Sequence, residues 1–243
     1  MKKTTIALAV AALTLGTSLF AAAPTAEQIL TGIDKTRNGW SSYVVDIKIS
    51  NFKQGKSVDG NAYQVFIKGA DRTLVKFMSP IDRGKSLLML EQGMWLFLPT
   101  AGRPIRVTPL QRLSGNASNG DVAQTSLTAN YTPKLAGEES IEGKPTWILE
   151  LDSKKKSSTY QHVRLWIGKD DMLPVRAEFR LTSGKPSKRV DYVEYQKVAG
   201  GQTLLKRQVM YDLLRNDQKT VMEYGNYTQR DLPDSLFNQN SLR

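Results

Sequence analysis

Histidine occurs once in the chain, at position 162, and cysteine does not occur at all. A metal site built on imidazole and thiolate needs several such ligands, and a thiol nucleophile needs one, so both are excluded. A Ser-His-Asp triad would have to run through His162, and no Gly-x-Ser-x-Gly elbow is present to hold its serine. His162 itself falls on the polar side of an alternating segment, which is a solvated position. No Gly-x-Gly-x-x-Gly or phosphate-cradling loop occurs. Asp170 and Asp171 are neighbours in a turn segment and read as turn formers rather than as an acid–base pair. No enzyme and no cofactor are expected.

What remains is apolar and basic side chains. Met78, Met89, Trp95, Phe97, Trp147, Leu149, Leu165 and Phe179 are the candidates for lining an apolar cavity, because thioethers and rings repack around a flexible chain. The plain alternative for each is ordinary β core. Arg83, Lys85, Arg103, Arg106 and Arg112 are the candidates for a docking surface. The chain carries a formal charge of +11. A basic balance suits anionic partners, or simply keeps the protein soluble.

These residues need elements to hold them. The stretch from Lys85 to Asp121 organises the rest. Leu87–Leu90 and Met94–Leu98 are two apolar runs, and Gln92 and Gly93 are read as the hairpin turn between them. Both faces of both runs are apolar, so each face needs a cover. One cover is a core helix. The other is protein or a greasy ligand.

In chain order, Thr25–Thr36 is predicted as a helix, with Thr25 and Gln28 at capping-box spacing and Ile29, Leu30 and Ile33 as its apolar stripe. Asn38 and Gly39 end it. Alternating segments follow: Val45–Ile49, Tyr63–Lys68, Thr73–Met78, the hairpin, and a short basic strand, Arg103–Thr108. The period of two then stops. Residues 109–131 read as an insertion, with a glycine- and serine-rich loop from Gly115 to Gly120 and a helix capped by Asp121 over Val122–Ala129; Gly115–Tyr131 is the expected lid. Strands resume at Tyr131 and continue through Trp147–Leu151, Val163–Ile167, Val175–Leu181, Val190–Lys197, Thr203–Leu214 and Thr220–Tyr227. The tail, Asp231–Phe237, is expected to make one helical turn before Phe237 docks. The fold class is therefore mainly β with a few helices: a single curved antiparallel sheet of about eleven strands, a half-open β-barrel plugged by the first helix and the insertion.

Lys2 and Lys3, an apolar run from Ile6 to Leu15, and Ala21–Ala23 have the pattern of a secretory signal peptide. Residues 1–21 are expected to be cleaved, leaving 22–243 as one domain of roughly 220 residues with a charge of about +9. No later apolar run is long enough to span a bilayer. The periplasm is the expected location, and export makes nucleic acid a poor partner. A core large enough to dispense with disulfides is available at this length.

Several motifs resemble the bacterial outer-membrane lipoprotein-sorting family, and more closely its LolA-like branch. They are Met-Trp-Leu-Phe-Leu-Pro (Met94–Pro99), Arg-Pro-Ile-Arg (Arg103–Arg106), Gln-Arg-Leu-Ser-Gly (Gln111–Gly115), the Asn-Gly-Asp before the insertion helix, Gly143–Trp147, Leu165–Ile167 with Leu173–Arg176, and Leu232–Phe237. The resemblance implies a half-open antiparallel β-barrel, closed by helices, that holds acyl chains. It implies a periplasmic, monomeric carrier of lipoproteins or another amphiphilic lipid toward the outer membrane. The alternative is an interaction module, an accessory subunit of an inner-membrane RND-type transporter without its own lipid cargo.

Overall fold

The computed structural model describes residues 23–242 except 38, 124, 125, 157 and 216. The expected signal segment, residues 1–21, and Asn38, read as a helix stop, lie outside the described residues. Among the described residues no helix is long and apolar enough to cross a membrane.

Helix α1 (Ala26–Arg37) starts with the reciprocal bonds that its sequence spacing predicts. The Thr25 N–H donates to Gln28 Oε1 at 2.8 Å, and the Gln28 N–H donates to Thr25 Oγ1 at 3.2 Å. Its stripe, Ile29, Leu30 and Ile33, is fully buried on the sheet. The strands are β1 (Ser42–Lys53), β2 (Lys56–Lys68), β3 (Arg72–Phe77), β4 (Ser86–Leu90), β5 (Gly93–Phe97) and β6 (Ile105–Val107). A small pair, β7 (Arg112–Ser114) and β8 (Ala117–Ser118), leads into α2 (Asn119–Ala123). Then come β9 (Tyr131–Ile141), β10 (Lys144–Ser153), β11 (His162–Gly168), β12 (Pro174–Arg180), β13 (Pro186–Lys197), β14 (Thr203–Asp212) and β15 (Gln218–Gln229).

The main sheet holds thirteen of these strands in the order β6-β5-β4-β3-β2-β1-β15-β14-β13-β12-β11-β10-β9. That exceeds the expected eleven. It consists of two antiparallel meanders joined by the pairing of β1 with β15. The sheet is not closed, and β6 and β9 are its opposite edges. The segment joining them, residues 108–130, must therefore cross the open side of the curve. Its contacts put the insertion over the inner face, where Ala117, Val122 and Ala123 join the core.

Register explains why the inner face is the core. Across β10 to β14 one line of partners reads Leu149, Leu165, Ala177, Val190 and Met210, all buried. The line on the outer face reads Glu150, Arg164, Glu178, Arg189, Tyr211, Lys219 and Phe52, crossing to β1 through β15. Arg164 Nε donates to Glu150 Oε1 at 2.6 Å, and the Arg189 guanidinium lies 4.4 Å from the Tyr211 ring centroid. Charges of alternating sign pair across strands, so this face needs no further cover.

The other half of the outer face is apolar, and it is covered. Val44, Phe66, Leu74, Leu88 and Phe97 form a second core with Leu232 and Phe237 of the tail. The tail makes the expected turn, a 3₁₀ helix at Asp234–Phe237, and Phe237 is buried. Lys68 and Arg72 each approach the Asp234 carboxylate at 2.7 Å. These cations hold the carboxyl of Asp234 below its ordinary range. The hairpin's second cover is thus the chain's own C-terminal segment, not a ligand. The hairpin turn is also one residue earlier than its sequence suggests: Leu90 pairs with Gly93, so Glu91 and Gln92 form the loop and Gly93 opens β5.

Candidate binding site

The crossing segment is tied down along its length. Asn51 Nδ2 donates to Ser114 Oγ at 2.9 Å, and Asn51 Oδ1 accepts from Thr220 Oγ1 at 2.8 Å. Gly115, at φ 52°, passes so close to both that a Cβ there would collide with Asn51 and Thr220. Thr73 Oγ1 donates to the Ala123 carbonyl at 2.9 Å. At the far end, Asp34 of α1 accepts from the N–H groups of Leu127 and Thr128 and from the hydroxyls of Ser126 and Thr128. The first helix and the insertion are one assembly.

Asp121 does not cap the helix that follows it. Ser118 does. The Asp121 N–H donates to Ser118 Oγ at 3.4 Å, while the Ser118 N–H donates to Asp121 Oδ2 at 2.7 Å, a capping box one turn earlier than expected. Helix α2 is accordingly Asn119–Ala123, and Gln124 and Thr125 of the expected helix lie outside the described residues. The carboxylate of Asp121 then turns to the sheet. Lys188 of β13 donates to Asp121 Oδ2 at 2.7 Å and to Tyr160 Oη at 2.5 Å, and the Tyr160 O–H lies 3.0 Å from both Asp121 oxygens. The side chains of Asp121 and Lys188 are only 6% and 12% exposed, which makes this a buried ion pair. Burial, and secondarily the Asp121 charge, push the Tyr160 phenol well above its ordinary pKa. Tyr160 stays protonated and donates.

Beneath the crossing segment and against the seam of β1 and β15 is a cavity of about 130 Å³. Its walls include Val45, Val65, Ile67, Phe179, Val190 and Met210. They also include seven of the nine tyrosines: Tyr43, Tyr131, Tyr160, Tyr192, Tyr195, Tyr224 and Tyr227. Several hydroxyls are turned into the wall. Tyr131 donates to the Tyr160 carbonyl, Tyr195 to the Pro174 carbonyl and Tyr227 to the Leu205 carbonyl, at 3.0, 2.6 and 2.9 Å. Ring surfaces make up much of the wall, with Thr36, Asp121, Asn130 and Gln208 among its polar parts. The cavity is smaller than the several hundred cubic ångströms expected, because these rings and the insertion occupy the hollow. It equals the share of roughly four water molecules.

Of the eight candidate lining residues, Met89, Leu149 and Leu165 are buried in the inner core, with Trp147 and Phe179 packed against it. Only Phe179 reaches the cavity wall. Trp95 and Phe97 are on the outer face under the tail, and Met78 is half exposed beside a groove of about 420 Å³ where Asp46, Lys48 and Glu223 emerge. Strand parity is the reason: Met78, Trp95 and Phe97 have the same phase as outward-facing Leu74 and Leu88, not as Val75 and Met89. Of the basic candidates, Arg83, Arg103 and Arg106 are exposed on the β3–β4 connection and around β6, and Lys85 is bound to Asp82 at 2.6 Å. Arg112 belongs elsewhere. It lines a groove of about 200 Å³ with Leu110, Ser118, Tyr160, Lys188, Asp212 and Leu214. His162 is on the surface, as expected, 2.7 Å from Asp152.

Sequence reasoning missed the tyrosines and Lys188. A signal existed for the second. Lys188, Val190 and Tyr192 alternate along one strand face, so a lysine stands in an inward-facing row.

A family model described as "uncharacterized protein" matches residues 69–243. No curated protein matches the chain. Among solved structures the chain is similar to a LolA superfamily protein from Nitrosomonas europaea, at 33% identity, covering 90% of this chain and 99% of that one, with a TM-score of 0.84. It is also similar to a DUF1329 family protein from Desulfovibrio piger, at 22% identity, 90% and 98% coverage and a TM-score of 0.78. A third is a protein domain from Vibrio parahaemolyticus described as outer membrane lipoprotein-sorting, at 17% identity, 89% and 97% coverage and a TM-score of 0.77. The last two likenesses concern the fold alone.

Proposed function

The chain belongs to the LolA superfamily, and we propose that it is an exported periplasmic carrier that shelters the acyl part of a lipoprotein or another amphiphilic lipid. The observation that carries this reading is the cavity: a mainly apolar, tyrosine-rich space on the inner face, beneath a segment fastened by hydrogen bonds and a buried ion pair. Sheltering an acyl chain requires no covalent step. Each methylene that leaves water contributes about 0.8 kcal/mol. Opening the crossing segment enlarges the space, since that segment is one of its walls. The signal segment at residues 1–21 would deliver the carrier to the periplasm.

Native mass spectrometry of protein purified from the periplasm of its own bacterium tests the idea. A mass excess that matches a lipid or an acylated peptide is expected, together with displacement of a fluorescent fatty acid. Neither signal appearing would overturn it. Val190→Phe, which fills the cavity with a ring, should weaken probe binding while leaving the circular dichroism spectrum unchanged.

A second reading has its own observation. Ile81 is 89% exposed beside Arg83, and the β3–β4 connection lies against the β5–β6 loop, where a Cβ on Gly84 would meet Pro99 Cγ at 2.8 Å. Arg83 and Arg103 would then dock a transporter subunit. Replacing both by Gln should abolish partner pull-down and leave lipid binding intact; the reverse outcome removes the docking role.

A further inference from the structure

The ion pair sits on a wall with space on both sides. Asp121 lines the tyrosine cavity, Lys188 lines the 200 Å³ groove, and Tyr160 lines both. The ion pair and the Tyr160 ring thus belong to the wall between the two hollows. Joined, they reach the lower end of the roughly 300–1,000 Å³ typical of small-molecule sites.

The outer groove has the chemistry of a headgroup site. An ammonium carries three donors. Those of Lys188 go to Asp121 and Tyr160 at 2.7 and 2.5 Å, which leaves one for the groove that Lys188 lines. Arg112, exposed on the same groove, has no carboxylate partner among the described residues. The groove's own carboxylate, Asp212, is turned toward its loop through one oxygen: its Oδ1 accepts from the N–H groups of Leu214 and Arg215 at 2.8 and 3.0 Å, and its charge remains. Leu110 and Leu214, 63% and 53% exposed, put apolar surface on the rim. Lys188 is inward-facing by register, next to Phe179, and its charge is held there by Asp121.

We infer that the groove between Lys188 and Arg112 binds the acidic headgroup, carboxylate or phosphate, of a single amphiphile whose tail enters the tyrosine cavity past Tyr160. The headgroup takes the remaining Lys188 donor beside Asp121, so the buried ion pair stays whole while the ligand is seated. This rests on the carrier reading and narrows it: an uncharged acyl ester brings the groove only a neutral acceptor, which makes the weaker bond.

The test compares dansyl-undecanoic acid with its methyl ester by dansyl emission on the full mature chain. The acid should bind about ten-fold tighter, the scale of one hydrogen bond to a charged group. Arg112→Gln should lower acid affinity about three-fold, as expected for an exposed ionic contact, and leave the ester unchanged. The double variant Asp121→Leu/Lys188→Met removes both buried charges together, so it avoids stranding one of them. It should cut the preference for the acid to about the three-fold that Arg112 supplies and keep ester binding. Equal affinity for acid and ester in the wild-type protein overturns the inference and leaves the carrier reading standing. Binding of neither overturns both. Millimolar inorganic phosphate distinguishes the sources: if it displaces the acid probe, the site takes a free anion, and the lipid-headgroup assignment falls.

Discussion

Lys188 and Asp121 cost the fold something when separated. Asp121→Asn leaves the Lys188 charge buried without its partner, a loss of about 3–5 kcal/mol in urea unfolding. The double change to apolar residues should cost much less. Tyr160 adds a pH signature. Its folded pKa lies well above the unfolded value near 10, so its contribution is complete below that value. It is lost as pH rises further, because the unfolded phenol ionises while the folded one keeps its proton. Tyr160→Phe should flatten the fall in stability above about pH 10, read from unfolding midpoints against pH. This chemistry was half legible in the sequence. Asp121 stood out as a helix cap, yet the capping box with Ser118 hid where its carboxylate goes. Lys188 sat in plain view on an inward row. The tyrosines were obscured because an aromatic ring suits either face of a strand, and only register decides which.

At the scale of elements, the helix was the clearest in advance. The Thr25–Gln28 capping box and the Ile29, Leu30 and Ile33 stripe formed as spacing dictates. Ile33→Ala, at a fully buried site, should cost about 2–5 kcal/mol by denaturant titration. The hairpin's strands were equally plain, but the identity of their second cover was not. Leu88 and Phe97 meet Leu232 and Phe237 across more than a hundred residues of sequence, a contact that local patterns do not encode. Phe237→Ala should destabilise by about 3–5 kcal/mol and shift Trp95 emission to longer wavelength. If the Trp95 environment stays unchanged, the tail does not cover that face. The insertion was recognised as irregular, and its small β7–β8 pair was not, since two- and three-residue strands carry no period.

At the scale of the molecule, the two faces should respond differently to mutation. Arg164→Ala on the outer ladder removes a cross-strand pair that is about one-third exposed, so it should change stability by less than about 1 kcal/mol. A comparable loss on the inner line, Leu165→Ala, should cost about 2–5 kcal/mol. Curvature and the antiparallel order were readable from the succession of short turns. The joining of two meanders through β1 and β15 was not, because that pairing links the start of the chain to its end.

The two outermost strands, β6 and β9, are not bonded to one another. A closed ring of strands has a circumference fixed by its hydrogen bonds, and a guest must match the bore. This gutter has no such constraint. Under the carrier reading it would splay by small changes of twist spread along thirteen strands, with the crossing segment joined to both margins. Capacity would then follow the guest's girth continuously, as a spring clip grips rods of different diameter, and no backbone pairing need break to admit a thicker one.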